Sequence, residues 1–190
     1  DTVICRGGYK ATVIVAVEKE DNLDTAQTWQ DVKRRSTVLA MLESQCWAKI
    51  DAALEKGTEV LEKHHKDYIR KRMGRVAIVS SSSNVPALSM FQFGRYLLLS
   101  GANGAAMNLQ GLWADGKQST WNGDYHLNIN LQMMYWAADA VGLGGETMPP
   151  LVTFLRRLRQ QGEKSASQLY GYPGWVAHGF TDGYMRAGIG

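Results

Sequence analysis

The chain has little of what marks several large protein classes. Of its 190 residues only two are cysteines, Cys5 and Cys46, far apart and outside any paired ligand spacing, so neither a disulfide scaffold nor a zinc site is supported. No apolar run approaches the roughly 20 residues that cross a bilayer, and Asp1 to Lys10 show no charged-then-apolar leader pattern. A first residue other than Met fits a chain that is processed or cut from something longer. Charge of one sign is scarce as well: 21 Lys and Arg face 18 Asp and Glu, for a formal +3, with the signs mixed along the sequence. That balance gives no reason to expect a nucleic-acid partner. What is present, 45% hydrophobic and 21% charged residues, suits one globular domain or pieces of two and speaks against disorder.

Proline is absent before residue 86, and aromatics are sparse there too: residues 1–90 hold 26 of the 39 charged groups and 4 of the 18 aromatics. The asymmetry points to two kinds of structure in one chain. Tyr9 to Val17 is rich in β-branched residues, follows Gly7-Gly8 and precedes the charged run Glu18 to Asp24, which predicts a strand with a turn at each end. A single strand needs sheet partners that this sequence hardly offers, so it reads as the last strand of a β domain. From Trp29 onward Trp29, Val32, Leu39, Leu42 and Cys46 recur at helical spacing, and Ile50, Leu54, Leu61, Tyr68 and Ile69 continue the stripe. Two helices or one broken helix fit. The charges between them suit a solvated face, and the adjacent His64 and His65 point in different directions on a helix, a poor metal pair. Ser80 to Asn84, before Pro86, reads as a linker. Helical stretches are expected at Ser89 to Ser100, Asn128 to Val141 and Leu151 to Gly162. Gly-rich connectors at Gly101 to Gly104, Gly116 to Gly123 and Gly142 to Pro150 separate them. Helices alternating with long aromatic loops suit an α-helical barrel or toroid whose loops build a cleft, without a self-similar repeat of fixed period.

Three stretches stand out by composition: Asn108 to Trp113, Trp121 to Trp136 and Gly174 to Asp182. In the second, His126, Asn128 and Asn130 alternate with Leu127, Ile129 and Leu131, so in an extended segment the three polar groups share one face. If a helix follows, they converge at its mouth. Amides and imidazole there bind hydroxyls through paired donors and acceptors, and flanking Trp and Tyr rings stack on the apolar face of a sugar. The structural alternative remains open: Asn side chains capping helix ends and turns, Asp124 as an N-cap, and Trp113 and Trp121 as core. No Ser-His-Asp or Cys-His nucleophile pattern is visible. Trp175, His178 and Asp182, spaced by three and four, line one side of a helix or converge otherwise in a loop, and His178 equally fits a satisfied structural histidine. For Arg95 a buried structural ion pair is expected over substrate contact.

Taken together, Phe91 to Leu98, Asn108-Leu109-Gln110-Gly111-Leu112-Trp113, Asp124-Tyr125-His126-Leu127-Asn128-Ile129-Asn130-Leu131-Gln132-Met133 and Gly174-Trp175-Val176-Ala177-His178 resemble the α-L-fucosidases of glycoside hydrolase family 95 in residues, order and spacing. The likeness is strong across 88–182 and fainter before, where His65 to Val76 looks like the end of the family's linker. The resemblance implies a mainly α fold: an (α/α)6 barrel of the six-hairpin type behind a helical linker and an N-terminal β-sandwich. The expected boundaries are residues 1–20 for the tail of the sandwich, 21–86 for the linker and 87–190 for the first part of the catalytic barrel. It further implies inverting hydrolysis of α-1,2-linked L-fucose from glycan ends. In inverting enzymes an acid protonates the leaving oxygen while water attacks from the other face, the two groups lying about 6.5–9.5 Å apart. In this family an Asn polarised by a carboxylate activates the water, because a neutral amide is a poor base without an anion beside it. By match to the family's motif, Asn130 is the water-activating amide, Asn128 its partner and His126 a fucose-hydroxyl ligand, with Trp113, Trp121, Trp175 and His178 as further substrate contacts. The family's general-acid Glu and assisting Asp come from later in the barrel, and Asp124, Asp139, Glu146 and Asp182 match neither. The expectation is therefore an internal fragment, inactive alone, whose partner is a fucosylated oligosaccharide, with no cofactor, nucleic acid or membrane implied. Departures from the pattern are Gly179 after His178, Tyr184 in place of a common Trp, and a shortened loop at Gly101 to Ala106. Relatives with similar motifs act on α-L-galactosides, and a non-catalytic carbohydrate-binding relative is the reading from another class.

Overall fold

In the computed structural model, residues 13–18, 32–79, 81, 85–102, 104–109, 111, 113 and 118–188 are described. The described residues are mainly helical, with one short two-stranded ladder. The chain divides into two units, Asp1–Asp67 and Tyr68–Gly190.

In the first unit, helix α1 spans Val32–Lys56. Leu42, Cys46, Ile50 and Ala53 are half-buried at spacings of four, four and three, as the sequence stripe predicts, while Leu39 and Leu54 are exposed. Gly57 ends the helix with φ of +75°, a value that costs a side chain steric energy and glycine none. Its N–H reaches the Ala53 carbonyl at 3.1 Å, and its own carbonyl accepts from Leu61 N at 3.2 Å. One residue therefore closes α1 and opens α2, Thr58–Met73, so the stripe is two helices. Trp29 and residues 9–12 lie outside the described residues. Of the expected strand at Tyr9 to Val17, residues 13–17 pair with no strand among the described residues. Their exposure nevertheless alternates, Val13, Val15 and Val17 outward and Ile14 and Ala16 half-buried, the period of an extended segment. The segment meets α1 where Cys46 Sγ contacts the Ala16 carbonyl at 3.8 Å and Lys49 pairs with Glu18. Cys46 is a free thiol.

The second unit begins with the last turn of α2. Helix α3 follows at Val85–Gly101, then a left-handed turn at Thr120–Gly123, strand β1 at Tyr125–His126, the short helix α4 at Asn130–Tyr135, and helix α5 at Gly144–Ser165. A wider helical turn, Ala166–Tyr170, leads to strand β2 at Phe180–Thr181. The core collects Leu98 and Leu99 from α3 with Ala102 just after it, Leu131 and Tyr135 from α4, and Phe154 and Leu158 from α5, with Met185 and Ala187 from the chain after β2. On α5 the buried positions Thr147, Phe154, Leu158 and Gly162 fall on one stripe.

Arg95 is buried, but the expected ion pair is not what holds it. Its guanidinium donates to the carbonyls of Met73 at 2.8 Å, Val76 at 2.9 Å, Val141 at 3.1 Å and Arg72 at 3.2 Å, and to Gln92 Oε1 at 2.8 Å. Helix ends leave carbonyls without partners. Arg95 supplies donors to those at the end of α2 and brings positive charge to the negative end of its dipole. Nearby, Arg75 grips Glu146 through two 2.7 Å bonds, and Arg72 Nε lies 3.1 Å from the same carboxylate as an ion pair, out of line for a hydrogen bond.

Two connectors differ from the sequence reading. Gly142 to Pro150 is expected as a loop, yet α5 starts at Gly144 and carries Pro149 and Pro150 in its second turn. Their missing N–H groups cost only two bonds near the helix start, while Glu146 sits in the first turn, where an anion suits the dipole. The helix expected from Asn128 to Val141 is regular only over Asn130–Tyr135 and continues as turns to residue 142.

Candidate functional site

The site is assembled around β1. Tyr125 pairs with Thr181 and His126 with Phe180 in an antiparallel register, and Leu127 N extends the ladder to the Gly179 carbonyl at 2.8 Å. Two tyrosines fix the segment before it: Tyr125 donates to the Ala106 carbonyl at 3.0 Å, and Tyr135 accepts from Met107 N at 2.9 Å. Burial pushes both phenols above their usual pKa, so both stay neutral donors and acceptors. Asn108 Nδ2 donates to the Gly123 carbonyl at 2.7 Å, and Leu109 N to the Asp124 carbonyl at 3.2 Å. Part of the first unusual stretch is therefore a brace for the second. Gln110 and Leu112 lie outside the described residues.

Before β1 the chain turns through three left-handed residues, Trp121 (φ 56°), Asn122 (φ 56°) and Gly123 (φ 64°). A tryptophan there is strained by roughly 1–3 kcal/mol, a cost found most often where function demands a geometry. The turn sets the Trp121 ring edge-on to His126, centroids 4.4 Å apart at 71°, while Phe180 stacks on the opposite strand at 5.9 Å and 22°. His126 Nδ1 is hydrogen-bonded to Asp124 Oδ1, with both side chains mostly buried. Asp124 therefore serves the imidazole and caps no helix.

The chain does not run extended through Asn130. It is a strand only at Tyr125–His126, turns over 127–129, and enters α4 at Asn130. The shared face expected from alternation is thus replaced by a corner: Asn128 is exposed on the turn beside exposed Ile129, and Asn130 is half-buried at the first helical position. Among the described residues neither carboxamide has a hydrogen-bond partner, so neither acts as the expected cap. Gln132, which the sequence reading did not single out, closes the corner by donating to the Leu127 carbonyl at 2.7 Å.

Trp175 and His178 lie in the loop 171–179 and not on a helix. That loop folds onto α5 where a glycine lets backbones meet: Val176 N donates to the Gly162 carbonyl at 3.2 Å, and a Cβ at residue 162 would stand 2.6 Å from the Val176 carbonyl oxygen. Trp175 thereby borders an apolar cavity of about 460 Å³ with Leu127, Leu131, Gln132 and Leu155. His178 is held by Tyr170, whose hydroxyl lies 2.9 Å from Nε2, and by the Gly188 carbonyl 3.2 Å from Nδ1. Asp182 instead pairs with Arg186 and accepts from Tyr184 N, closing its own turn. Trp113 stands apart, half-exposed near Gly101 and Gly111. The structure thus brings His126 and Trp121 into contact, seats Asn128 and Asn130 on the adjoining corner, and puts Trp175 on the neighbouring cavity. Sequence reasoning missed Asp124 and Phe180 as neighbours of His126. The two-residue spacing of Asp124 and His126 was the available signal, since it places both on one side of an extended segment. Among the described residues no group of His, Cys, Asp and Glu could hold a metal ion.

A mainly helical domain with amides, an oriented imidazole and exposed indoles gathered on its loops has the furniture of a carbohydrate-active enzyme. Residues 45–189 match the model of the glycosyl hydrolase family 95 catalytic domain, and the chain belongs to that family. It is 44% identical over 91 residues to probable alpha-fucosidase A of Aspergillus oryzae, a stretch covering 47% of this chain and 13% of that protein. Probable alpha-fucosidase A of Aspergillus niger is 45% identical over 93 residues, 47% of this chain and 12% of that protein. Alpha-L-fucosidase 2 of Arabidopsis thaliana is 44% identical over 95 residues, 49% of this chain and 11% of that protein. The matched stretch thus spans about an eighth of each curated relative.

Proposed function

We propose that the whole protein is an exo-acting α-L-fucosidase that hydrolyses terminal, α-1,2-linked L-fucose by inversion, and that this chain carries the water-activating side of its site. Asn130 holds and activates the attacking water, Asn128 assists, and His126 binds a fucose hydroxyl. Trp121, Trp175, Trp113 and His178 hold the sugar and the glycan behind it. The observation that carries the reading is the corner at 126–130: an imidazole oriented from behind by Asp124, followed by two carboxamides without partners among the described residues. Amides without partners among the described residues, beside an oriented imidazole, suit hydroxyl and water ligands, since each offers both donors and an acceptor.

The carboxylates of the second unit support assigning the acid elsewhere. Asp124 is bound to His126, Glu146 to Arg75, Asp182 to Arg186 and Glu163 to Arg159, so these four already have partners, and Asp139 does not match the family's acid motif. The general acid and the carboxylate that polarises Asn130 then come from other parts of the whole protein, in an (α/α)6 barrel. The test is release of L-fucose from 2′-fucosyllactose, with the anomer followed by NMR. The expected result is β-L-fucose from the wild type and a loss of about 10²-fold or more in kcat for Asn130→Ala, the scale of a lost general base. No release by the folded whole protein, or unchanged kcat in the variant, would remove the assignment.

A further inference from the structure

His126 has one ring nitrogen committed and one open. A carboxylate only accepts, so the hydrogen shared by Asp124 Oδ1 and His126 Nδ1 sits on the imidazole. In its neutral form the imidazole then carries its one N–H at Nδ1 and leaves Nε2 as an acceptor, and Nε2 meets no partner among the described residues. The ring is also held against rotation, between the edge of Trp121 and the face of Phe180. Trp121 keeps its place through a strained left-handed backbone that Asn108 braces at the Gly123 carbonyl. The Asp124 bond thus selects the tautomer, and the aromatic neighbours hold the ring orientation.

We propose that Asp124 is the positioning residue for His126: it fixes the Nδ1–H tautomer and leaves Nε2 to accept one hydroxyl hydrogen of the terminal sugar. This rests on the hydrolase reading above. The consequence is a directional rule for recognition. The hydroxyl facing His126 must donate, so its own lone pairs remain available to the donors of a neighbouring carboxamide. A sugar lacking that hydroxyl, or carrying it as an ether, would leave Nε2 unpaired, and sites built on such bonds reject deoxy analogues strongly. The mostly buried pair keeps water from competing for Nδ1.

The test uses the whole protein labelled with [¹⁵N]imidazole histidine, with the His126 resonance assigned by its loss in His126→Gln. The wild type is expected to carry its proton on Nδ1, and Asp124→Ala to shift it to Nε2. Kinetically, Asp124→Ala is expected to raise KM for 2′-fucosyllactose about tenfold, the equivalent of about 1.4 kcal/mol for one mispaired hydrogen bond, with little change in kcat. In a His126→Gln background the same substitution is expected to add nothing, because Asp124 acts only through His126. Should Asp124→Ala not fold, Asp124→Asn keeps the volume without the charge and is expected to show a mixed tautomer population. A wild-type proton on Nε2, an unchanged KM, or additive losses in the double variant would overturn the proposal. If the wild type releases no fucose, the hydrolase reading fails by itself, and the tautomer spectra still decide the role of Asp124.

Discussion

Arg95 is 2% exposed and spends all three guanidinium nitrogens on four carbonyls and one side-chain amide. Replacing it by Met keeps the stem but strips the Met73, Val76 and Val141 carbonyls of this donor and leaves the Arg72 carbonyl with Arg75 N alone, at 3.3 Å. Unsatisfied buried groups cost about 1–3 kcal/mol each, and partial rescue by water brings the expected loss to about 3–5 kcal/mol. Urea denaturation would measure it, and a loss below 1 kcal/mol would contradict the role. A Lys there has one ammonium that cannot span the same carbonyls, so Arg95→Lys is expected to recover only part of the stability. The sequence reading expected Arg95 to be buried in an ion pair; it is buried, but not in one. The sequence could not show the partners, because main-chain carbonyls leave no trace in residue identity.

Between the end of α2 and the start of α5, one carboxylate ties two elements together. Glu146 receives two hydrogen bonds from Arg75, which hold its pKa below the usual carboxylate value against the opposing effect of burial; the charges of Arg75 and Arg72 lower it further. A depressed folded-state pKa means that the stabilisation is present above the unfolded value of about 4.3 and disappears as pH falls through the folded value. Glu146→Gln is therefore expected to be less stable than wild type near neutrality and to lose less stability on acidification below that range. Circular dichroism melts between neutral and acid pH would read the two slopes, and parallel curves would refute the linkage. The boundaries of α5 show where local signals lose. Pro149 and Pro150 read as a stop, yet the helix begins at Gly144, because prolines near a helix start forfeit few bonds and the apolar stripe from Thr147 to Gly162 needs the whole length. At β1 the alternating pattern read as an extended run, but Leu131 and Tyr135 bury together only if the chain turns into a helix.

Across the whole molecule, apolar surface remains open on several elements. Met90 and Phe93 on α3, Trp136 after α4 and Tyr172 in the loop after α5 are 76, 58, 67 and 72% exposed. Large apolar side chains left in water favour association where they lie together. The 190-residue chain by itself is therefore expected to self-associate or bind a hydrophobic dye. Sedimentation velocity showing only a 21.1 kDa species, with a cooperative thermal transition, would contradict this. In the proposed barrel, further helices of the whole protein would cover these faces.

The sequence by itself determined that the described residues are mainly helical, where the helical stripes of α1 and α2 and the later part of α5 run, and which family its loop motifs belong to. Helical periodicity and long runs of matching residues are properties of the chain read in order. Only the tertiary structure decided that Arg95 clamps carbonyls, that Asp124 lies behind His126, that Asn130 opens a helix after a turn, and that Trp121 strains its backbone to reach the imidazole. The carbonyls that Arg95 clamps come from distant segments, and the turns at Trp121 and before Asn130 are fixed by the segments packed against them; a core that buries Leu99, Leu143 and Leu158 together selects these arrangements by packing.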